Sequence, residues 1–251
     1  MLNGKIIINT RPEASDDQIA EALCKLNATV VPMPLIEIKP IAIDKVLLRG
    51  IIQGGAFQWL IFTSKNGVDG FFDQLSKPEK LPFRIAVYGL RTAEALQEQG
   101  YSADLVNQGN TGAELLDDLI PLLRKEDKIL IVTGNLAPDV LQDRLNEVVT
   151  AERLDVYHTQ FVAKVPTGTM QRIAAANYDL ILFTSPSGVK SFVHQVQNKV
   201  DFAHLKAASI GPSTTKALLE AGIHPCVEAT TSGKKGLIHA IENYFAAERQ
   251  L

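Results

Sequence analysis

Cysteine is nearly missing from this chain: Cys24 and Cys226 are the only two in 251 residues, and neither belongs to a Cys-x-x-Cys pair. That excludes a disulfide framework and a thiolate zinc site, and it suits a reducing compartment, so a cytoplasmic location is expected. Histidine is scarce as well. His158, His194, His204, His224 and His239 show no His-x-x-x-His spacing, which leaves each as a surface or hydrogen-bonded side chain, with no metal expected. An excess of positive charge is also lacking. The 25 Lys and Arg and 28 Asp and Glu are mixed along the chain and give a net charge of -3 and a pI of about 6.0, so no basic face for nucleic acid is expected. The longest apolar runs are strand-sized, far below the ~20 residues of a membrane helix. The opening Met-Leu-Asn-Gly-Lys-Ile-Ile-Ile-Asn moves straight into a strand, so neither membrane attachment nor an export signal is expected. Nor is there a Gly-x-Ser-x-Gly elbow, a Walker loop or a Gly-x-Gly-x-x-Gly after a strand, which removes the usual hydrolase, nucleotidase and dinucleotide readings.

What is present is a globular composition, 46% hydrophobic and 21% charged, over a length that fits two modest domains. Short runs of Ile, Val and Leu alternate with stretches of helical period, the pattern of a parallel sheet covered by helices on both faces. Strands are expected at Lys5 to Asn9, Thr29 to Pro32, Gln58 to Phe62, Arg84 to Tyr88, Asp104 to Val106, Lys128 to Val132, Arg153 to Tyr157, Leu180 to Phe183, Ala207 to Ile210 and Pro225 to Glu228. Helices fill the gaps, among them Thr92 to Gln99, Thr214 to Ala221 and Lys235 to Ala247.

Three phrases recur in the same order. Phe62-Thr63-Ser64-Lys65-Asn66-Gly67-Val68 returns as Phe183-Thr184-Ser185-Pro186-Ser187-Gly188-Val189, 121 residues on. Gly89-x-x-Thr92 with Ala95-Leu96 and Gly100 returns at Gly211, Thr214, Ala217-Leu218 and Gly222, 122 residues on, and Lys5 to Thr10 returns as Lys128 to Thr133, 123 residues on. Offsets this close imply one α/β half-unit written twice. The two copies are either consecutive lobes or lobes that exchange their first strand and helix. Pro34 to Pro40 and Val156 to Pro166 both read as extended and Pro-bounded, and their pairing as a connector would favour exchange.

The repeated phrases sit where strands give way to helices. Such a turn presents a capping hydroxyl, free amides and the positive end of the helix dipole, and ligands of doubly wound sheets bind beyond the carboxyl ends of the strands. The turns are Thr10-Arg11-Pro12, Thr63 to Gly67, Gly89 to Thr92, Gly109-Asn110-Thr111-Gly112, Thr133-Gly134-Asn135, Thr184 to Gly188, Gly211 with Ser213 and Thr214, and Thr231-Ser232-Gly233. Together they are expected to form two rims of N–H donors for an anionic small molecule in a cleft. A single such turn needs no ligand to explain it, since Ser and Thr cap helices anyway. The repeated Gly67 and Gly188, and Gly89 and Gly211, are expected to let a ligand approach the backbone, whereas Gly100 and Gly222 read as helix-ending glycines. Arg11 is either an anion ligand, the favoured reading, or an ion-pair partner. Lys65, Lys234 and Lys235 are secondary candidates that solvation alone also explains, and Tyr157 is either the one hydroxyl placed to face the cleft as an acid or a buried aromatic with a bonded hydroxyl.

Thr-Arg-Pro after the first strand, Phe-Thr-Ser-x-Asn-Gly-Val, Gly-x-x-Thr-Ala-x-Ala-Leu, Val-Tyr-x-Thr, Phe-Thr-Ser-Pro-Ser-Gly-Val and Ile-Gly-Pro-x-Thr together resemble uroporphyrinogen-III synthase, in order and spacing from Thr10 to Leu237. The resemblance implies two flavodoxin-like parallel-sheet α/β lobes, one of residues 1–34 plus 164–251 and one of 41–154, with connector strands at 35–40 and 155–163. It implies conversion of the linear tetrapyrrole hydroxymethylbilane to uroporphyrinogen III, with loss of water and inversion of ring D, without metal or organic cofactor. Tyr157 then matches the tyrosine of Val-Tyr-x-Thr and is the expected general acid. The rest of the expected site binds substrate: Thr10, Arg11, Pro12, Thr63, Ser64, Lys65, Asn66, Gly67, Gly89, Thr92, Thr133, Gly134, Asn135, Thr184, Ser185, Pro186, Ser187, Gly188, Gly211, Ser213 and Thr214. A monomer is expected, with room for a transient contact with the upstream synthase. Two positions depart from the pattern: His158, where the family often has Arg, Glu or Gln, and Thr215, where it usually has Ala. The rival readings are a two-lobed sensor or solute-binding protein without chemistry and a glycosyltransferase-like enzyme, which would need a nucleotide-sugar marker that is lacking. A receiver domain would need acidic residues where Asn9-Thr10-Arg11 stand.

Overall fold

The computed structural model describes residues 1–12, 17–75, 81–107, 112–196, 199–231 and 233–248. In chain order these form β1 (Ile6–Asn9), α1 (Gln18–Lys25), β2 (Thr29–Pro32), β3 (Ile36–Pro40), α2 (Lys45–Gln53), β4 (Trp59–Phe62), α3 (Lys65–Phe72), β5 (Arg84–Tyr88), α4 (Leu90–Glu98), β6 (Leu105–Asn107) and α5 (Gly112–Leu119). They continue with β7 (Lys128–Gly134), α6 (Val140–Asn146), β8 (Thr150–Phe161), α7 (Thr167–Ala174), β9 (Leu180–Phe183), α8 (Pro186–Val196), β10 (Ala207–Ser209), α9 (Pro212–Glu220), β11 (Val227–Glu228) and α10 (Lys234–Glu248). The fold is mixed α/β with parallel sheets. Among the described residues no helix is long and apolar enough to cross a membrane.

The chain divides into two compact units: Met1–Glu37 with Gln160–Leu251, and Ile38–Thr159. The first unit holds a sheet of order β11-β10-β9-β1-β2, in which Ile7 pairs in parallel with Val30 on one side and Leu180 on the other. The second sheet runs β3-β8-β7-β4-β5-β6, with Leu60 paired to Ile85 and to Leu130.

Strands whose every residue is apolar are expected to be covered on both faces, and alternation decides which residue goes to which side. In β4, Leu60 and Phe62 pack with Phe71 and Phe72 of α3 and with Ala95 and Leu96 of α4. Trp59 and Ile61 pack the other way, against Leu115, Leu116 and Leu119 of α5 and Leu145 of α6. β9 repeats the arrangement: Ile181 and Phe183 meet Val189 and Phe192 of α8, while Leu180 and Leu182 meet Leu237 and Ile241 of α10.

Two strands exceed their expected bounds. β7 continues through Thr133 and Gly134, and β8 runs for 12 residues instead of the five from Arg153 to Tyr157. The polar Thr-Gln-Phe end of β8 stays extended because β8 is flanked by β7 on one side and β3 on the other, so its backbone groups have partners that composition does not advertise.

Candidate functional site

At the carboxyl end of β4 the chain turns into α3 through Thr63 and Ser64. Ser64 is the N-cap, its Oγ accepting the Gly67 amide at 3.1 Å. The same Oγ lies 3.1 Å from the Tyr157 hydroxyl, and the Thr63 and Thr133 hydroxyls are bonded at 3.0 Å. The structure therefore brings Thr63, Ser64, Thr133 and Tyr157, expected from separate motifs, to one sheet edge within the second unit. Around the equivalent turn of the first unit, Ser185 Oγ accepts the Gly188 amide and lies 3.1 Å from Ser187 Oγ, with Pro186 as the first residue of α8. Thr184 is half-buried between strand and cap.

Several expectations are corrected. Gly67 and Gly188 are buried, and their missing side chains make room for the protein itself: a β-carbon at Gly67 would lie 3.1 Å from the Val132 carbonyl oxygen, and one at Gly188 would lie 3.2 Å from Ser185 Oγ. Gly89 and Gly211 differ, with open space where a β-carbon would point, and Gly89 has φ +80°, which favours glycine. The helices they open, α4 and α9, carry no side-chain cap. Thr92 and Thr214 turn their side chains inward, and their amides donate to the Gly89 and Gly211 carbonyls. What these two turns leave at the surface is Leu90-Arg91 and Pro212-Ser213.

Among the described residues no helix opens directly at Thr10-Arg11-Pro12. Thr10 is buried and gives its amide and its hydroxyl, the latter at 2.7 Å, to the Leu182 carbonyl, which continues the pairing of β1 with β9. α1 begins at Gln18 with Asp17 as its cap. Arg11, favoured as an anion ligand, is the ion-pair partner of that cap, Nε to Oδ1 at 3.3 Å. Lys65 is exposed and pairs with Asp69 and Glu98, while Asn66 is half-buried in the first turn of α3. The turn Gly109 to Thr111 and the residue Ser232 lie outside the described residues.

Thr133-Gly134-Asn135 is not a strand-to-helix turn either, because α6 starts only at Val140. Its groups are turned toward β8 instead. The Asn135 amide donates to the Tyr157 carbonyl, and its side chain exchanges two hydrogen bonds with the Thr159 backbone. Gly134 lies against the Tyr157 ring, where a β-carbon would come within 2.2 Å of Cε2.

Sequence reasoning passed over Arg153. Its guanidinium donates to the carbonyls of Gly134 and Ala137 and pairs with Asp139 and Asp155. Burial works against the charge, but the two carboxylates outweigh it and raise the pKa above the ordinary arginine value. The signal available was an Arg and an Asp two apart in a strand pattern, hence on one face. On that face a cavity of about 460 Å³ opens beside Thr63 and Thr133, walled by Leu115, Leu116 and Ile131 and edged by Arg153. A second concavity, of about 450 Å³, lies by Gln58 and Arg84 at the amino ends of β4 and β5, the edge that doubly wound folds do not use for ligands. Among the described residues no group of three or more His, Cys, Asp or Glu side chains could hold a metal ion.

Ser64→Ala is expected to destabilise the second unit by about 1 kcal/mol through the lost cap, read as a lower denaturant midpoint, and to leave the Tyr157 hydroxyl without its serine partner.

A sequence model of the family described as HEM4, uroporphyrinogen-III synthase HemD, matches residues 17–239. The chain is 29% identical over 223 residues to the porphyrin biosynthesis protein HemD of Ruminiclostridium josui, a match covering 86% of this chain and 44% of that protein. It is 28% identical over 256 residues to the uroporphyrinogen-III synthase of Synechococcus elongatus, covering 97% and 96% of the two. Two solved structures share the fold: a mutant uroporphyrinogen III synthase from Thermus thermophilus, with TM-score 0.66, 17% identity and coverage of 97% and 100%, and the Helicobacter pylori uroporphyrinogen-III synthetase, with TM-score 0.66, 18% identity and coverage of 95% and 99%.

Proposed function

This chain belongs to the uroporphyrinogen-III synthase family, enzymes of tetrapyrrole biosynthesis that act as cyclising hydro-lyases, and from that premise we propose how its own residues carry the reaction. The substrate is the linear tetrapyrrole hydroxymethylbilane, and the product is uroporphyrinogen III, formed with loss of water and inversion of ring D. Hydroxymethylbilane closes spontaneously without inversion, so the enzyme's main task is to hold the conformation in which ring D reacts through its substituted carbon. Orientation of this kind is the larger contribution to rate.

Acetate and propionate carboxylates surround the substrate. Main-chain amides at the helix starts after Ser64, Gly89, Ser185 and Gly211 suit them, because those amides carry partial positive charge without adding a cation. A protein of net charge -3 can bind a polyanion in this way. Thr63, Asn66, Thr133, Thr184, Ser187 and Ser213 supply hydroxyl and amide groups beside them.

The observation that carries the catalytic reading is the Ser64 to Tyr157 hydrogen bond. Either hydroxyl of this pair can donate; in the proposed reaction Ser64 donates to the tyrosine oxygen while its Oγ accepts the Gly67 amide, and the Tyr157 O–H protonates the departing hydroxyl. The pyrrole nitrogen lone pair expels that hydroxyl as water, and the positive end of α3 lies near the negative oxygen that remains.

The strand orders support the domain reading. Numbered in chain order, the first sheet follows 2-1-3-4-5, the flavodoxin-like order, and the strands β8-β7-β4-β5-β6 of the second follow it when the count starts at β7, runs to β8 and then takes β4, β5 and β6. In the second unit β7 and β8 take the places of β1 and β2, so two copies of one half-unit exchange their first strands, with lobes of 1–34 plus 164–251 and of 41–154. Strands 35–40 and 155–163 are then the connector. The enzyme is proposed to be a cytoplasmic monomer that takes its substrate from the upstream synthase by transient contact.

The test is to supply freshly made hydroxymethylbilane, oxidise the products and separate the porphyrin isomers. Type III above a no-enzyme control is expected, and type I alone would reject the assignment.

A further inference from the structure

β8 does not pair regularly with β7. Thr133 is opposite Asp155, but the next residue, Gly134, is opposite Tyr157, so Val156 is the extra residue of a β-bulge. A bulge re-aims the side chain that follows it. In an unbroken strand Val156 and Tyr157 would face opposite sides of the sheet, yet both pack against the cluster formed with α3 and α4. The irregularity is what turns the Tyr157 ring toward Ser64.

Three neighbours hold it there. Asn135 grips the backbone on both sides of His158, through the Tyr157 carbonyl at 3.2 Å and the Thr159 amide and carbonyl at 2.7 and 3.3 Å. Gly134 leaves the space that the ring fills. Arg153, four residues before Tyr157 on the same strand, ties that strand to the loop through the Gly134 and Ala137 carbonyls, each at 2.8 Å. The extra carbonyl of Val156 is satisfied by the Ile41 amide at 2.9 Å, so the bulge carries no orphaned acceptor. The ring is thus held in place through its backbone and, at its hydroxyl, by Ser64.

We propose that Asn135, Arg153 and Gly134 are positioning residues that hold the bulged strand so that the Tyr157 hydroxyl meets the departing hydroxyl of the substrate. The inference rests on the acid role given to Tyr157. It adds that catalytic precision is set by a strand-to-loop clamp and not by Ser64 alone.

The experiment compares Asn135→Ala, Arg153→Ala and Arg153→Lys, each in the wild-type and Tyr157→Phe backgrounds. Activity is read as kcat, KM and the type III to type I product ratio, and the Tyr157 ring signals by NMR of protein carrying ¹³C-labelled tyrosine, assigned by their loss in Tyr157→Phe. Each single variant is expected to lower kcat about tenfold with little change in KM, because misplaced groups lose rate before binding. The same change in Tyr157→Phe is expected to add nothing. Arg153→Lys is expected to fail as a rescue, since one ammonium cannot reproduce a fork that bonds two carbonyls and two carboxylates. Full activity in Arg153→Lys, a further fall in the Tyr157→Phe background, or unmoved ring signals in both Asn135→Ala and Arg153→Lys would each overturn the positioning role. Unchanged kcat in Tyr157→Phe alone overturns the acid role instead, and the ring signals still decide whether the clamp sets the ring. Should Arg153→Ala not fold, Asn135→Ala and Arg153→Lys carry the comparison.

Discussion

Tyr157→Phe is expected to lower kcat about 10²-fold, the lower end of what a positioned general acid contributes, with KM almost unchanged. The substitution removes one oxygen. The ring keeps its packing against the α3 and α4 cluster and its place against Gly134, and Ser64 keeps its cap on the Gly67 amide. What is lost is the donor next to the departing hydroxyl. Turnover is not expected to be abolished, because the proposed orientation of ring D by main-chain amides is independent of that proton. The product ratio gives a second reading of the same event: slower enzymatic closure leaves more substrate to close unaided, so type I rises at low enzyme concentration and falls back as enzyme is added. A kcat equal to the wild-type value would remove Tyr157 from the chemistry.

Gly134→Ala is expected to combine loss of stability with loss of rate. The added methyl would stand 2.2 Å from Cε2 and 2.3 Å from Cζ of Tyr157, distances that no neighbour can absorb without moving. The strand cannot move easily, since β7 is paired on both sides and Arg153 holds the Gly134 carbonyl. The ring must therefore swing off its seat and off Ser64. Overpacking of this kind costs about 1–3 kcal/mol, seen as a lower denaturant midpoint, and kcat is expected to fall nearly as far as in Tyr157→Phe. Tyr157→Ala in the Gly134→Ala background removes the clash, so the double variant should be more stable than the sum of the two single effects predicts. Simple additivity would mean that glycine and ring do not meet in solution.

Much of the fold was legible because it depends on local pattern. WLIF and LILF could only be strands buried on both faces, and they are. Ser64 and Ser185 read as caps from their place between a strand and a helix, and both accept the amide of the third residue of their helix. Gly100 and Gly222 read as helix-ending glycines and have φ of +90° and +75°. Readings failed where a local phrase had a distant partner. Thr10 resembles a turn residue until Leu182, 172 positions away, takes both its donors. Gly67 resembles a gap for a ligand until the Val132 carbonyl is found in it. Arg153 has no motif at all, and what marks it is four acceptors, three on β7 and the loop after it and one, Asp155, on its own strand.

By itself, then, the order of residues determined the parallel α/β character, the positions of most strands and the capped starts of α3 and α8, since alternation, capping and apolar runs are properties of a few consecutive side chains. Only the tertiary structure decided that β1 lies between β9 and β2, that one extra residue shifts β8 against β7, and that Tyr157 therefore points at Ser64. Register between strands depends on side chains far apart along the chain, and a slip of a single residue turns a side chain to the opposite face.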